Sequence, residues 1–102
     1  MVYGSVFAPG LFAGKVIIVT GGGSGIGRCV AHELASLGAQ VALVGRKIEK
    51  LQKVADEITQ DGGKVSFQVC DIRQEEAVKQ TVAAIMGEHG PVDGLVNNAG
   101  GQ

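Results

Sequence analysis

The residues best suited to chemistry are Thr20-Gly21-Gly22-Gly23-Ser24-Gly25-Ile26-Gly27, and the chemistry they suit is holding an anion. Glycines permit positive φ and let backbone approach a phosphate with no Cβ in the way. A helix beginning inside this run would add free N–H groups and a partial positive charge at its N-terminus. A diphosphate is the ligand that such a turn holds when a strand precedes it and a helix follows. The glycine spacing is GxxxGxG, unlike the GxGxxG of larger dinucleotide enzymes. No Gly-Lys-Ser/Thr follows, which disfavours a P-loop nucleotide hydrolase.

The flanking elements have the required types. Lys15 to Thr20 (KVIIVT) is β-branched and apolar on both faces, as a central parallel strand is. Ile26, Val30, Leu34 and Leu37 recur at helical spacing, and Gly38 closes that helix as a C-terminal cap. Val41 to Val44 is a second strand. Ile48, Leu51, Val54, Ala55 and Ile58 form a second helical face, stopped by Asp61-Gly62-Gly63. Val65 to Val69 is a third strand. Ala77, Val78, Thr81, Val82 and Ile85 form a third helical face, ending near Gly87 and Gly90-Pro91. Val92 to Val96 is a fourth strand, running into Asn97-Asn98-Ala99-Gly100. A strand and a helix recur about every 25 residues, the period of βαβ units. The expected fold class is α/β, a Rossmann-type doubly wound parallel sheet of strand order 3-2-1-4, the N-terminal half of such a fold. Residues 1–14 read as a lead-in and 15–102 as one cofactor-binding half-domain. Val92 to Val96 would then form an exposed apolar edge, and the sequence reads as stopping short of a complete functional unit.

The end of the second strand sets the cofactor. An acidic residue there would bind a ribose 2′-hydroxyl, but the sequence is Val44-Gly45-Arg46-Lys47. A carboxylate would repel a 2′-phosphate, whereas Arg46 can pair with it through two hydrogen bonds. Gly45 is expected to leave room, and Ser24 to add a hydroxyl donor. NADP is therefore the expected cofactor, ahead of NAD.

The rest of the composition narrows the class. The chain has 102 residues, the size of one small domain. It is 45% hydrophobic and 19% charged, a globular balance, and its 17 glycines are clustered rather than periodic. With net charge −1 and no basic run, a nucleic-acid partner is not expected. No window approaches the roughly 20 apolar residues of a membrane span, and no basic segment marks a secretory signal. Cys29 and Cys70 read as two small buried thiols of a reducing, cytoplasmic compartment. His32 and His89 have no third ligand at metal spacing, so no metal site is expected. Asp56 and Glu57 with Lys53, and Glu75 with Lys79, read as solvated helix-face charges. Met86 is expected in the core. No nucleophilic triad stands out.

Four features together carry a resemblance: Thr20-Gly21-x-x-x-Gly25-x-Gly27, Gly45-Arg46, Cys70-Asp71-Ile72 and Asn97-Asn98-Ala99-Gly100. From Lys15 to Gly100 the chain resembles the short-chain dehydrogenase/reductases. The resemblance implies cofactor contacts at Gly21, Ser24, Gly25, Ile26, Gly27, Arg46, Asp71, Ile72, Asn98, Ala99 and Gly100. In that scheme Asp71 accepts from the adenine amino group and the Ile72 backbone completes the base contact. Asn98, Ala99 and Gly100 line the ribose side, and the paired asparagines tie the fourth strand to its neighbours. As a cap for a helix starting near Glu75, Asp71 stands slightly too far upstream. The lead-in Phe7-Ala8-Pro9-Gly10-Leu11 and the ending Asn97 to Gln102 look like the enoyl-CoA and dienoyl-CoA reductase branch. The implied reaction is hydride transfer to or from an acyl-CoA double bond or a carbonyl or alcohol, with a small-molecule partner and a homo-oligomeric parent.

The sequence departs from the family where catalysis is concerned. The family's Tyr-x-x-x-Lys acts as general acid/base, and the only tyrosine here is Tyr3, with Phe7 four residues on. No catalytic residue is assigned, and the 102 residues alone are expected to be inactive. The alternatives are a non-catalytic cofactor-binding fragment, the alcohol/aldehyde dehydrogenase branch, and an extended relative such as a nucleotide-sugar epimerase.

Overall fold

A computed structural model describes residues 11–21, 25–71 and 73–97 of the chain. The elements run β1 (Val16–Thr20), α1 (Gly25–Ser36), β2 (Gln40–Gly45), α2 (Ile48–Gln60), β3 (Lys64–Val69), α3 (Glu75–His89) and β4 (Gly94–Asn97). All three strand pairings are parallel, and the sheet order is β3-β2-β1-β4, as expected. After three strands laid down in one direction, the chain crosses back to the far side of β1.

That reversal puts the helices on opposite faces. Side chains alternate across a strand, so β1 sends Ile17 and Val19 one way and Val16 and Ile18 the other. Val41 and Leu43 of β2 join the first pair, under α1 and α2 (Ala31, Ala35, Leu51, Val54, Ile58). Ala42 and Val44 join the second, under Ile85 and the half-buried Ala77, Val78 and Val82 of α3. Strands β1 and β2 are therefore buried on both faces.

The expected core face of α1 holds at its C-terminal end, where Leu34 packs against the core and Leu37, just past the helix, is buried, but needs correction at its start. Ile26 is exposed and Val30 half-buried, while Gly27, Ala31 and Ala35 are the buried positions. Small side chains let the helix axis come close to the sheet, so the inward stripe is the smallest one rather than the most hydrophobic. Met86 is corrected likewise: it is exposed, because Ile85 takes the inward position and the next residue lies about 100° round the helix. Cys70 is buried as expected, but Cys29 is exposed on α1.

The helix stops work as the glycines suggest. Gly38 has φ +96°, and the amides of Gly38 and Ala39 turn back to the carbonyls of Ala35 and Leu34 at 3.0 and 3.1 Å. Residues 11–14 dock here: Phe12 donates its amide to the Leu37 carbonyl at 2.8 Å. A Cβ on Gly38 would lie 3.1 Å from the Ala13 Cα. Gly38→Ala therefore combines left-handed strain with backbone crowding. It is expected to cost about 2 kcal/mol, seen as a lower urea midpoint at unchanged m-value.

Strand β4 begins two residues later than its apolar run. The Asp93 carboxylate accepts the Val16 amide at 2.8 Å, and the Asp93 amide donates to the Val16 carbonyl at 2.8 Å. A side-chain oxygen thus stands in for a main-chain carbonyl at the start of the ladder. The edge is apolar as expected, with Leu95 62% exposed.

Candidate functional site

The C-terminal ends of the four strands bring the sequence-distant motifs to one rim of the sheet. Gly21 follows β1 directly, is buried, and has φ +67°. Its amide donates to the Val44 carbonyl at 2.8 Å, which ties the start of the glycine run to the end of β2. The Cys70 amide donates to the Gly45 carbonyl at 2.7 Å, tying the end of β3 to the same place. Across the reversal point, Thr20 pairs with Asn97 in the ladder, and its hydroxyl donates to the Asn97 side-chain oxygen at 3.0 Å. Asn97 thus ties β4 to β1 as expected. A crevice at such a reversal, outside the strand ends, is where open α/β sheets bind ligands.

Helix α1 opens at Gly25, where a Cβ would meet no atom within 4 Å among the described residues. Its first turn holds no acidic residue, whereas α2 starts with Glu49 and α3 with Glu75 and Glu76. The two other helices carry carboxylates near their own positive dipole ends, whereas α1 carries none in its first turn. Gly27, one turn in, is buried on the sheet side, and Ile26 is exposed at the mouth. These residues fit a dinucleotide's diphosphate. Ser24, Ile72, Asn98, Ala99 and Gly100 lie outside the described residues.

Arg46 and Lys47 are exposed at the end of β2, with no carboxylate between them and the strand. The direction in which a Gly45 side chain would point is filled, however. A Cβ there would lie 3.2 Å from Leu51 Cδ2, so the missing side chain lets α2 pack on β2. Asp71 directly follows Cys70. Its Oδ1 accepts the Arg73 amide and Nε, each at 3.0 Å, and its Oδ2 accepts Arg73 Nη2 at 2.9 Å. The Arg73 side chain, then its backbone amide, and more weakly the charge of Arg46 lower the Asp71 pKa to about 2. Asp71 does not cap α3, whose N-cap is Gln74. The Asp71–Arg73 pair was not legible from motif spacing; the signal was an acid two residues before a base at a strand end.

A second cluster also escaped the sequence. Glu57 is not a solvated helix-face charge: Arg28 Nε and Nη2 donate to its two oxygens at 2.8 and 2.7 Å. His32 Nε2 lies 3.0 Å from Glu57 Oε1, and His32 Nδ1 3.8 Å from Asp61. Arg28 and His32, four apart on α1, face Glu57 of α2 and Asp61, the residue that caps it. Glu75 and Lys79 do form the expected exposed i,i+4 pair, at 3.6 Å. His89 Nε2 sits 3.1 Å from the Ser66 hydroxyl. The Arg28 hydrogen bond is the main cause lowering the Glu57 pKa from 4.5 to about 2. A depressed folded-state pKa contributes stability that is complete above about 4.5 and disappears as pH falls through about 2. Urea midpoints measured across that window are expected to fall more steeply for the native chain than for Glu57→Gln.

On the α3 face a cavity of about 160 Å³ adjoins Thr20 and Asn97 and is lined by Ile18, Val44, Val82 and Leu95 among others. Thr20, Thr81 and Asn97 are part of its wall, but its surface is mostly hydrocarbon and suits no phosphate. Among the described residues no helix is long and apolar enough to cross a membrane.

A 3-2-1-4 parallel sheet with a glycine-rich sequence between its first strand and an acid-free helix start matches the doubly wound fold of nucleotide-binding proteins. The sequence profile of the short chain dehydrogenases matches residues 15–102, and the chain belongs to that family. It is 67% identical to a citronellol catabolism dehydrogenase of Pseudomonas aeruginosa, with TM-score 0.91, over 93% of this chain and 40% of that one. A metagenomic short-chain oxidoreductase solved in complex with NADP is 41% identical, with TM-score 0.83, over 86% and 40% of the two chains. A short chain dehydrogenase of Pseudocercospora fijiensis is 47% identical over 91 residues, 89% of this chain and 29% of its own length. The chain thus spans between about three and four tenths of the length of these relatives.

Proposed function

We propose that this chain is the NADP-binding part of a short-chain oxidoreductase, residues 15–102 forming the cofactor half-domain and 1–14 its lead-in. The observation that carries this reading is an exposed cation at the strand end: Arg46 stands at the end of β2, on the same rim as the acid-free first turn of α1, while the neighbouring Asp71 is ion-paired with Arg73. Gly21, Ser24, Gly25, Ile26 and Gly27 would hold the diphosphate and Arg46 the 2′-phosphate. Asp71 and Ile72 would hold the adenine, and Asn98, Ala99 and Gly100 the ribose side. The bound cofactor supplies or accepts the hydride. NADP in a relative 41% identical supports the choice of cofactor.

The reaction of the whole enzyme is proposed as reduction or oxidation at an acyl-CoA double bond or at a carbonyl or alcohol. The likeness to a citronellol catabolism dehydrogenase supports the alcohol and carbonyl alternative. A cytoplasmic location and a homo-oligomeric enzyme belong to the same proposal, and two free thiols suit a reducing compartment.

Calorimetric titration of the 102-residue chain with NADPH and NADH tests the cofactor reading. NADPH is expected to bind about tenfold or more tightly than NADH. Equal affinities would remove the NADP preference, and no binding of either would remove the cofactor role. With Tyr3 the only tyrosine and no Tyr-x-x-x-Lys in these residues, the isolated chain is expected to oxidise no NADPH with any carbonyl or enoyl-CoA. Robust turnover would overturn that expectation.

A further inference from the structure

The Asp71–Arg73 pair is built more tightly than a surface ion pair requires. Three donors from one residue reach the carboxylate: the Arg73 amide and Nε on Oδ1, and Nη2 on Oδ2. The chain on either side is pinned as well. Cys70 is hydrogen-bonded to Gly45 just before Asp71, and the Asp71 carbonyl accepts the Gln74 amide at 3.0 Å just after it. Both χ angles of the aspartate are thereby fixed, although the arginine side chain is 72% exposed. The amide bond to Oδ1 and the Gln74 bond to the Asp71 carbonyl make a local Asx-type turn, but that turn does not call for the two-pronged guanidinium grip; the carboxylate caps no helix, and an exposed pair adds little to stability.

One consequence follows for a ligand at this rim. Two carboxylate oxygens offer about four acceptor directions, and Arg73 uses three, with Oδ2 holding a single donor. One acceptor direction on Oδ2 is thus left at a set orientation. Asp71 also lies close enough to Arg46 for their charges to interact, yet among the described residues its ion pair is with Arg73.

We infer that Arg73 is a positioning residue for nucleobase recognition, holding Asp71 so that it accepts an exocyclic amino group. This rests on the cofactor reading above. The ligand feature that it selects is an amino group on the purine, as in adenine, over the oxo group of hypoxanthine. An oxo group facing the carboxylate leaves two acceptors opposed.

The test compares binding of NADP+ and nicotinamide hypoxanthine dinucleotide phosphate to the full 102-residue chain, with far-ultraviolet circular dichroism reporting the fold. The native chain is expected to prefer NADP+ by about tenfold, the worth of one hydrogen bond to a charged group. In Arg73→Ala and in Arg73→Lys, which keeps the charge without the fork, the ratio is expected to fall to about twofold. In an Asp71→Asn background, Arg73→Ala is expected to change the ratio no further. A merely structural or long-range charge effect would weaken both dinucleotides together and leave the ratio unchanged. An unchanged or increased ratio in Arg73→Ala, or a further fall in the Asp71→Asn background, overturns the inference while the cofactor reading stands. Failure of the native chain to bind either dinucleotide removes both.

Discussion

Arg46→Ala is expected to weaken NADPH binding by about ten- to a hundredfold and to leave NADH binding within about twofold. The two cofactors differ only in the 2′-phosphate, so their ratio isolates what Arg46 touches. A guanidinium can make two charge-assisted hydrogen bonds to a phosphate, each stronger than a neutral one. Arg46 is exposed, so part of this is screened by water and salt, and the effect should shrink as ionic strength rises. Lys47, also exposed beside it, retains some attraction and bounds the loss. Arg46→Glu should go further, because a carboxylate repels the phosphate and can accept from a ribose hydroxyl. The expected outcome there is reversal, with NADH bound more tightly than NADPH. Parallel losses for both cofactors in Arg46→Ala would mean that the side chain supports the rim rather than reading the phosphate.

Leu43→Ala is expected to cost the fold about 2–5 kcal/mol. Leu43 is 0% exposed, and it pairs in register with Val19 on one side and Phe67 on the other. It sits in the cluster that joins β1 and β2 to Leu51, Val54 and Ile58 of α2. Neighbours on both sides are held in ladders, so the site has little freedom to collapse around the lost methyls. A domain of this size has about 5–15 kcal/mol in all, so the variant should be partly unfolded at 37 °C. Leu95→Ala is the matched control: at 62% exposure it should change stability by no more than about 0.5 kcal/mol. Equal urea midpoints for Leu43→Ala and the native chain would mean that the β1–β2 core does not carry the fold.

How much was legible depended on the range of the interaction. Strands β1 and β2 were plain because unbroken β-branched runs have few other fates, and the glycine stops at Gly38 and Gly62 were plain because positive φ excludes most other residues. The direction of α1 was not. Ile26 and Val30 outrank Gly27, Ala31 and Ala35 in hydrophobicity, yet close approach to the sheet selected the smaller stripe. Met86 and Cys29 were misplaced for a similar reason: composition says what a side chain prefers, and the helix rotation says which one has its preference met.

The order of the residues by itself determined the alternation of strands and helices, the strand order, and the family, because these follow from periodicity and from glycines at turns. Only the tertiary structure decided that Glu57 reaches Arg28 and His32 across two helices, that Leu51 fills the space beside Gly45, and that Arg73 grips Asp71 beside Arg46. The physical reason is that backbone patterns are set within a few residues, whereas partners for charges and voids are set by which helix face meets which strand end once the sheet has formed.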